Sequence, residues 1–520
     1  MNVLMIAPPI MDHVQGDLVP IAMDAHRECP PYGMYLLVAT LRARGHVVTF
    51  ADLIAEGTYS LSSHSKALAE AELIGIGATS MSWPTALAVI KQIRACREDI
   101  PIVVGGIHPT MFDRYVLSAF PVNFVVRGEG ELGLASLADT LERRGDLSAV
   151  PNLSWVNGNG DIVRNPLNQL ISKRDLPEFP VPDYSELPAG IYGALSIESS
   201  RGCVFDCSFC STSYRRTWRG IEPETFVDRL QMIMPYVDRT VFGNIHVIDD
   251  EFSMNPARAT EIAKIIARRG LKPALVYDSR ANDLLKEGYV EAIAPFTQQF
   301  LVGAECGYDE GLKLIGKGTT CEKLDAAARI LKKYGIAQRA DFSFVVGLPW
   351  ETSREVEKTG EFAAMLHAKY GVRILLQWYC QIPGSRLWDD AQRRGAVTEA
   401  MYDDYGFFGD LYLFRSGVKL TPDEIYKLSD KVVGLLTLAN VRYPHSTMVE
   451  YAFPEPIAKY YPRLLQSFHD TGLSSLRDVA RPGGKRMEAE DSTEGTETSQ
   501  EGMAEIRVGR PLRHFDGVHN

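Results

Sequence analysis

Three cysteines, Cys203, Cys207 and Cys210, fall within eight residues at a C-x3-C-x2-C spacing. Thiolates are soft ligands that suit zinc and iron–sulfur clusters. Structural zinc takes four ligands, but no fourth Cys or His lies near, and the next downstream candidates are His246 and Cys306. Three thiolates and one open position instead suit a [4Fe–4S] cluster whose fourth iron binds a substrate or cofactor. The alternative, three separate buried thiols, is disfavoured by the close spacing.

A strand must position these cysteines, because the apolar stretch 195–198 ends five residues before Cys203. Helical patterns, such as 256–269 and 322–334, separate it from later apolar stretches. Five further strands are predicted, at 246–249, 274–277, 300–304, 341–346 and 374–379. Six β/α units predict a partial (β/α)6 barrel, since the usual closed barrel needs eight. The cysteines then follow the carboxyl end of its first strand.

A separate α/β pattern occupies the first 145 residues. Its strands are predicted at 3–7, 46–51, 73–78, 101–104 and 124–126, with helices at 35–44 and 85–97. Continuously apolar strands that alternate with helices predict a doubly wound, Rossmann-like parallel sheet. Such sheets bind ligands at the carboxyl ends of their strands, which here carry Pro-Pro, Thr-Ser, Gly-Gly and Gly-Glu-Gly.

Five segments are expected along the chain. After residues 1–145 comes a hairpin and proline-rich linker at 146–190, and then the barrel at 191–394. A helical region at 395–480 is predicted to supply much of a substrate pocket. Residues 481–520 are predicted to be a disordered tail, because seven acids and no basic residue stand between 488 and 505.

Composition excludes several functions. The 520 residues carry 55 Lys+Arg and 66 Asp+Glu, a net charge of −11, which argues against nonspecific nucleic-acid binding. No apolar run reaches the ~18–20 residues of a membrane span, and the apolar start lacks the basic region of a signal peptide. A cytoplasmic location is therefore expected. The eight cysteines do not form a disulfide framework pattern.

The cysteine motif and its context resemble the radical S-adenosylmethionine (SAM) superfamily. The resemblance covers about residues 195–388. Its motifs occur in the family's order: Phe209 before the last Cys, Asp249-Asp250-Glu251-Phe252, Ser279-Arg280, Glu305-Cys306-Gly307, Val346-Gly347-Leu348-Pro349, and Pro383-Gly384-Ser385. The sequence departs from the family at Cys306, where many relatives have Ser.

This resemblance implies that the three cysteines hold a [4Fe–4S] cluster and that one electron cleaves SAM to methionine and a 5′-deoxyadenosyl radical. Phe209, Gly347 and Pro349 would contact the adenine. Asp250, Arg280 and Glu305 would hold the charged and ribose groups of SAM, and the last two are the candidate catalytic residues. Other interpretations are a helix cap for Asp249-Asp250 and a surface ion pair for Arg280. Glu305, buried at a strand end without a partner, would be costly, which favours ligand binding.

The first 144 residues resemble the cobalamin (B12)-binding domain that precedes many radical SAM enzymes. The matching motifs are Pro30-Pro31-Tyr32-Gly33, Gly45-His46, Gly105-Gly106-Ile107-His108-Pro109 and Arg127-Gly128-Glu129-Gly130-Glu131. The cobalamin site is therefore expected to include Tyr32, Gly33, Ser80, Gly105, Gly106, His108, Gly128 and Glu129. The lower-ligand motif D-x-H-x-x-G is one residue short at Asp12-His13, so histidine ligation of cobalt is not expected.

Together these resemblances predict a cobalamin-dependent radical SAM methyltransferase that methylates an unactivated carbon of an unidentified organic substrate. The alternative is cyclisation, ring rearrangement or oxidation with the same cofactors. A non-catalytic iron–sulfur protein and a sulfur-inserting enzyme are disfavoured. An external one-electron reductant of the flavodoxin or ferredoxin type is expected, with no nucleic-acid partner and no integral membrane segment. Trp378 and Tyr379 are candidate pocket residues, whereas the aromatic stretch from Tyr402 is better explained by core packing.

Overall fold

The computed structural model describes residues 1–14, 17–20, 29–166, 170–212, 214–403, 420 and 422–439. The strands predicted in both α/β regions are confirmed, within one to three residues at most ends. They build two parallel sheets, each flanked by helices. None of the helices described combines the length and apolar content that crossing a bilayer requires.

The first sheet has the strand order β4-β1-β5-β6-β7-β8-β9. Its strands are β1 Asn2–Ala7, β4 Val47–Asp52, β5 Leu73–Gly77, β6 Ile102–Gly105, β7 Phe124–Val126, β8 Leu153–Val156 and β9 Ile162–Arg164. The first five of these are parallel, whereas β8 and β9 are antiparallel. The hairpin expected in the linker therefore forms, and it extends this sheet. A separate two-stranded ladder joins β2 Met11–Val14 to β3 Asp17–Pro20.

Helices cover both faces of the first sheet. They are α1 Tyr32–Ala43, α2 Leu53–Glu56, α3 Ser65–Glu70, α4 Trp83–Cys96, α5 Ile107–Met111, α6 Asp113–Ala119 and α7 Gly130–Arg143. Alternate residues of β1 enter different cores, since Val3 and Met5 pack with α1 and α7 while Leu4 and Ile6 pack with α4. Burial on both faces is what makes these strands continuously apolar, and the doubly wound prediction is confirmed.

The second sheet has the order β10-β13-β14-β15-β16-β17, all parallel, and is an open partial barrel. Its strands are β10 Ala194–Ile197, β13 Asn244–Val247, β14 Leu275–Ser279, β15 Thr297–Glu305, β16 Ala340–Val346 and β17 Arg373–Trp378. A short antiparallel ladder, β11 Ser200–Arg201 with β12 Arg219–Gly220, follows β10.

The outer helices of the barrel follow the predicted β/α alternation. They are α8 Pro223–Ile233, α9 Pro256–Arg268, α10 Ala281–Leu284, α11 Tyr289–Ile293, α12 Asp309–Ile315, α13 Cys321–Lys333, α14 Ser353–Tyr370, α15 Arg386–Arg393 and α16 Pro422–Leu438. One large apolar core lies between these helices and the outward-facing strand residues. The predicted tail at 481–520 and most of the 395–480 region lie outside the described residues.

Residues after the barrel return to the first domain. Trp388, Val397 and Tyr402 are buried in the core on the α4 side of the first sheet. Trp388 donates its indole N–H to the Tyr402 hydroxyl at 2.6 Å, and the Trp83 indole of α4 donates to Asp403 at 3.1 Å. The packing interpretation of Tyr402 is therefore confirmed. Trp378 is not a pocket residue, because it packs outward and donates to Ser429 of α16.

Candidate cofactor sites

The cysteine loop leaves β10 through a conformation that only glycine adopts easily. Gly202 has φ +83°, and a Cβ there would collide with the carbonyl of Thr217. The next residue, Cys203, donates its N–H to the Tyr214 carbonyl at 3.3 Å. Further along, Ser208 is held between two helices, because its N–H reaches Ile315 O at 2.8 Å and its carbonyl accepts from Leu387 N. The loop is thus supported from three sides.

The three thiols fit a multi-iron cluster better than a single metal ion. Ligands on one tetrahedral zinc, at ~2.3 Å from the metal, lie about 3.8 Å apart. In the described part of the chain, three possible ligand atoms lie within 4.8 Å of one another only at His46, Asp139 and Glu142. The cysteine sulfurs are therefore more widely spread. Burial raises the pKa of the Cys203 thiol to about 11.

The acidic triplet after β13 supports this loop. The buried Asp249 carboxylate accepts from the backbone N–H groups of Ser199 and Ser200, at 2.6 and 3.0 Å. Asp250 accepts from Gly202 N–H and from Thr212, both at 3.0 Å. The triplet therefore fastens the start of the cysteine loop to the neighbouring strand. In the described structure Asp250 does not cap a helix.

The third acid of the triplet, Glu251, is the one that caps. Its carboxylate accepts from the N–H of Ser253 at 3.1 Å, at the start of a short 3-10 turn. Burial raises the pKa of Glu251 to about 8. The sequence interpretation did not single out this residue.

Arg280 and Glu305 come together at the carboxyl ends of β14 and β15, and Lys317 joins them. The Glu305 carboxylate is 2.6 Å from Lys317 Nζ, so the expectation that Glu305 lacks a protein partner is wrong. Arg280 is buried, donates to the Lys317 carbonyl, and lies 3.4 Å above the Phe205 ring of the cysteine loop. It is therefore not a surface ion pair. Its guanidinium adds positive charge beside the cysteines.

Glu305 also has an unusual backbone, with φ +65° at a β-bulge in β15. A non-glycine residue in this region is strained and persists only where the surroundings hold it. The partner Lys317 lies close to the neighbouring Gly303, where a Cβ would collide with its ammonium group. Gly303 thus leaves room for the Glu305–Lys317 pair.

The Gly347–Pro349 loop after β16 is organised by Glu351. The carboxylate accepts from Gly347 and Leu348 N–H at 2.6 and 3.0 Å and from the Tyr308 hydroxyl at 2.7 Å. Gly347 has φ +82°, which glycine allows. Burial raises the pKa of Glu351 to about 7. Pro349 lines a cavity of about 410 Å³ together with Leu387, Asp390, Arg393 and Arg394.

The first domain offers a cradle at the carboxyl ends of β5 and β6. Gly106 has φ +97°, and a Cβ there would lie 2.5 Å from the Ala78 carbonyl, so the two loops approach as closely as backbone allows. His108 is completely buried, stacks on Trp83, and bonds Ser80 Oγ through Nδ1 at 3.1 Å. Burial lowers its pKa to about 3, so the ring is neutral. Among the described residues its Nε2 has no hydrogen-bond partner, and the ring is enclosed by Trp83, Phe112 and Tyr402, so His108 packs in the core behind the cradle.

Glu129 is placed differently from the other expected cobalamin residues. Its carboxylate is buried and pairs with Arg201 at 3.2 Å and Arg219 at 2.8 Å, and it accepts from Ile171 N–H. Gly128 has φ +71° and donates to Thr110. Of the remaining residues expected at the cobalamin site, Gly105 is the last residue of β6. Tyr32 and Gly33 are the first two residues of α1, and Tyr32 is buried.

Arg201, two residues before Cys203, joins the two domains. It contacts Glu131 of the first domain at 2.5 Å and Glu198 of β10's end at 2.7 Å, besides Glu129. We call Arg201, Arg219, Glu129, Glu131 and Glu198 the interdomain ion cluster. It fixes the carboxyl end of β7 against the carboxyl end of β10. Both predicted cofactor loops therefore lie at one junction.

The inner face of the barrel is mixed and mainly polar. The side chains that alternate with the apolar outer set include three apolar residues, Val276, Leu301 and Leu375, and a larger polar group, namely Ser196, His246, Asp278, Gln299, Asp341, Ser343, Arg373 and Gln377. Asp341 pairs with Arg373 at 2.8 Å and accepts from Gln299 at 2.7 Å. The segment that precedes α1 contacts this face, since Ser196 donates to the Pro30 carbonyl at 3.1 Å.

Four residues of these sites were not singled out from the sequence, namely Arg201, Glu251, Lys317 and Glu351. Each is ionisable, Glu251 and Glu351 are buried, Arg201 and Lys317 are half-buried, and each stands inside or beside a motif that was recognised. Only Arg201 and Lys317 stand next to a glycine, so the sequence carries no common signal for the four. Long-range partners such as Glu131 for Arg201 leave no local pattern.

With this geometry in view, the chain can be compared with known proteins. The model of the radical SAM superfamily matches residues 197–363, and the model of the B12 binding domain matches residues 19–138. An uncharacterized methyltransferase of Pyrococcus horikoshii is 32% identical over 380 residues, 70% of this chain and 78% of that protein. The chain therefore belongs to the radical SAM superfamily, with a B12-binding domain ahead of the radical SAM domain. SAM, a [4Fe–4S] cluster and cobalamin are its cofactors.

Two further similarities bear on the reaction and the fold. The anaerobic magnesium-protoporphyrin IX monomethyl ester cyclase of Rubrivivax gelatinosus is 26% identical over 351 residues, 64% of this chain and 62% of that protein. The radical SAM methyltransferase TsrM of Kitasatospora setae, solved with tryptophan and a SAM analogue, has a TM-score of 0.60 at 19% identity and covers 76% of each chain. The latter supports the fold alone.

Proposed function

We propose that this enzyme transfers a methyl group to an unactivated carbon. The observation that carries the proposal is the interdomain ion cluster, because it joins the loop before Cys203 to the strand end of the B12-binding domain at 2.5–3.2 Å. A radical generator and a methyl carrier that meet at one junction can act on one substrate. The similarity to the Pyrococcus horikoshii methyltransferase supports the same reaction.

In this proposal Cys203, Cys207 and Cys210 hold the cluster. Gly347 and Pro349 contact the adenine of SAM, with Glu351 fixing their loop. When bound, the cofactors supply one-electron cleavage of SAM and a transferable methyl group. The protein's own residues orient the ligands and exclude water from the junction.

The charged residues at the strand ends have distinct parts. Arg280, which lies over Phe205, would hold the carboxylate of SAM, while Glu305, which pairs with Lys317, would accept hydrogen bonds from its ribose or amino groups. Asp250 acts through the loop by holding Gly202, and is a positioning residue.

We further propose that the substrate is polar. The inner face of the barrel carries polar side chains along its length, from the Asp341–Arg373 pair and Gln299 near the amino ends of the strands to Asp278 and Gln377 near their carboxyl ends. An apolar substrate would have to desolvate these groups without replacing their hydrogen bonds, which costs roughly 1–3 kcal/mol for each group. A substrate with its own hydrogen-bonding groups avoids this cost.

The experiment is a labelling assay with anaerobically purified, cobalamin-loaded protein. SAM that carries a CD3 group is supplied with a cell extract, and the products are partitioned between water and chloroform. About one cobalamin per chain and CD3 label in the water phase are expected. Absence of cobalamin from a cluster-loaded protein would overturn methyl transfer, and label confined to chloroform would overturn the polar substrate.

The alternative reaction is cyclisation or oxidation without net methyl transfer. It is favoured by the similarity to the Rubrivivax gelatinosus cyclase, which is of the same order as that to other relatives. The same assay separates the two reactions. Substrate-dependent 5′-deoxyadenosine without any CD3 transfer would establish the alternative.

A further inference from the structure

The outer side of the cysteine loop carries an exposed apolar residue and, two residues further on, a carboxylate that gathers arginines. Val204 is 49% exposed. Beside it, the Asp206 carboxylate is approached by three guanidinium groups, Arg215 at 3.5 Å, Arg216 at 2.8 Å and Arg386 at 3.8 Å. We call these five residues the cluster-loop patch. Its arginines come from the turn after the cysteines and from α15.

The charge of this patch opposes that of the chain. Three arginines and one aspartate leave a local charge of +2, whereas the whole chain carries −11. The positive charge is accessible, since the side chains of Arg216 and Arg386 are 75% and 49% exposed. An acidic protein approaching this enzyme is therefore repelled by much of its surface and attracted here.

The patch is fixed directly to the cysteines. Cys203 and Arg215 form a parallel β-bridge, and Arg215 donates to the carbonyl of Cys210 at 2.6 Å. Arg216 has φ +60°, an unfavourable conformation for arginine that persists only because the surrounding turn holds it. The exposed guanidinium of Arg216 thus has a defined position, because Arg216 directly follows Arg215, which forms the bridge to Cys203.

An electron can enter from this side. The opposite side of the loop is enclosed, since Cys207 and Ser208 are buried against α12 and α15. Exposed arginines together with an exposed apolar residue on the same loop are typical of a transient protein interface, in which arginine is enriched. Opposite charge would raise the rate of encounter without requiring a long-lived complex.

We propose that the cluster-loop patch docks a small acidic one-electron carrier protein of the flavodoxin or ferredoxin class. The carrier loses one electron and the cluster gains it, and no bond or proton changes hands. This inference rests on the proposed function only in so far as the three cysteines hold the cluster. It is independent of where the methyl group goes.

The test compares two reductants on the cluster-loaded protein. Cluster reduction by flavodoxin hydroquinone and by dithionite is followed by absorbance and by electron paramagnetic resonance, at low salt and at 0.5 M NaCl. Arg216→Glu/Arg386→Glu is compared with Lys66→Glu/Lys91→Glu, a matched reversal of two exposed lysines on the first domain. We expect the arginine variant to be slowed at least 10-fold with flavodoxin at low salt, and neither variant to be slowed with dithionite.

The result that overturns the proposal is equal slowing with both reductants, or a flavodoxin rate indifferent to salt and to the arginine change. If the double variant fails to bind the cluster, Arg216→Gln and the salt dependence of the wild type give the same decision. Acceleration by deletion of 488–520 would show that the chain's own acidic stretch occupies the patch. If flavodoxin reduces the cluster of the wild-type protein normally but no methyl transfer is detected, the proposed function is refuted and the docking proposal is not.

Discussion

Replacing Arg201 tests whether the interdomain ion cluster stabilises the protein through its charge balance or through side-chain packing. Arg201→Met keeps most of the side-chain length but leaves Glu131 and Glu198 without their cation, while Glu129 keeps Arg219. Breaking a buried ion pair by removing one partner costs about 3–5 kcal/mol, because an uncompensated charge remains. At ~2–4 °C for each kcal/mol in domains of 150–250 residues, the melting temperature should fall by roughly 6–20 °C.

Removing more charge should then restore stability. In Arg201→Met/Glu131→Gln/Glu198→Gln the stranded carboxylates are gone, so the triple variant should melt above the single variant despite carrying more changes. Burial already raises the pKa of Glu131 despite the nearby Arg201, and losing Arg201 raises it further. A carboxyl with a raised native pKa stabilises the fold at low pH and loses that contribution as pH rises. The melting temperature of the single variant should therefore rise toward that of the wild type as the pH falls from 8 to 5.5.

Anaerobic thermal unfolding of the wild type, the single variant and the triple variant at both pH values checks this reasoning. A triple variant that melts at or below the single variant would refute it, because the loss would then come from packing. Cobalamin and iron content should be measured on each protein beforehand, so that the comparison is made at equal loading.

Three further perturbations test the sites, and a fourth tests the tail. Cys207→Ala should abolish both cluster and 5′-deoxyadenosine formation, and persistence of the latter would contradict the cluster assignment. Gly106→Ala should lower cobalamin content several-fold, because its Cβ would lie 2.5 Å from Ala78 O at φ +97°, and unchanged content would contradict the cradle. Glu351→Gln should gain up to ~3 kcal/mol relative to wild type between pH 4.5 and pH 7, since the native pKa is about 7, and parallel pH–stability curves would contradict this. Deleting 488–520 should leave cofactor content unchanged, as extracted cobalamin and iron would report.

The sheets were accessible from sequence because their strands are buried on defined faces. The six barrel strands appear as short apolar runs, and β8 and β9 were found from the Asn-Gly turn between them. The place of that hairpin was not predictable, because pairing of β8 with β7 depends on contacts that no local pattern encodes.

The sites were accessible only in part. The cysteines and glycines could be found because their chemistry or backbone conformation restricts the residue type. Lys317 could not, since its pairing with Glu305 is set by the path of the chain after α12. Similarly, Glu129 belongs to a recognised motif, yet its carboxylate is engaged by Arg201 and Arg219.

The return of Trp388, Val397 and Tyr402 to the first domain has a consequence during synthesis. The last strand of the first sheet ends at Arg164, about 240 residues before Tyr402 emerges. At ~5–20 residues per second, translation leaves the apolar surface around Trp83 uncovered for roughly 12–48 s. We therefore expect gene fragments that end in the linker to expose this apolar surface permanently and to yield aggregates instead of an isolated domain.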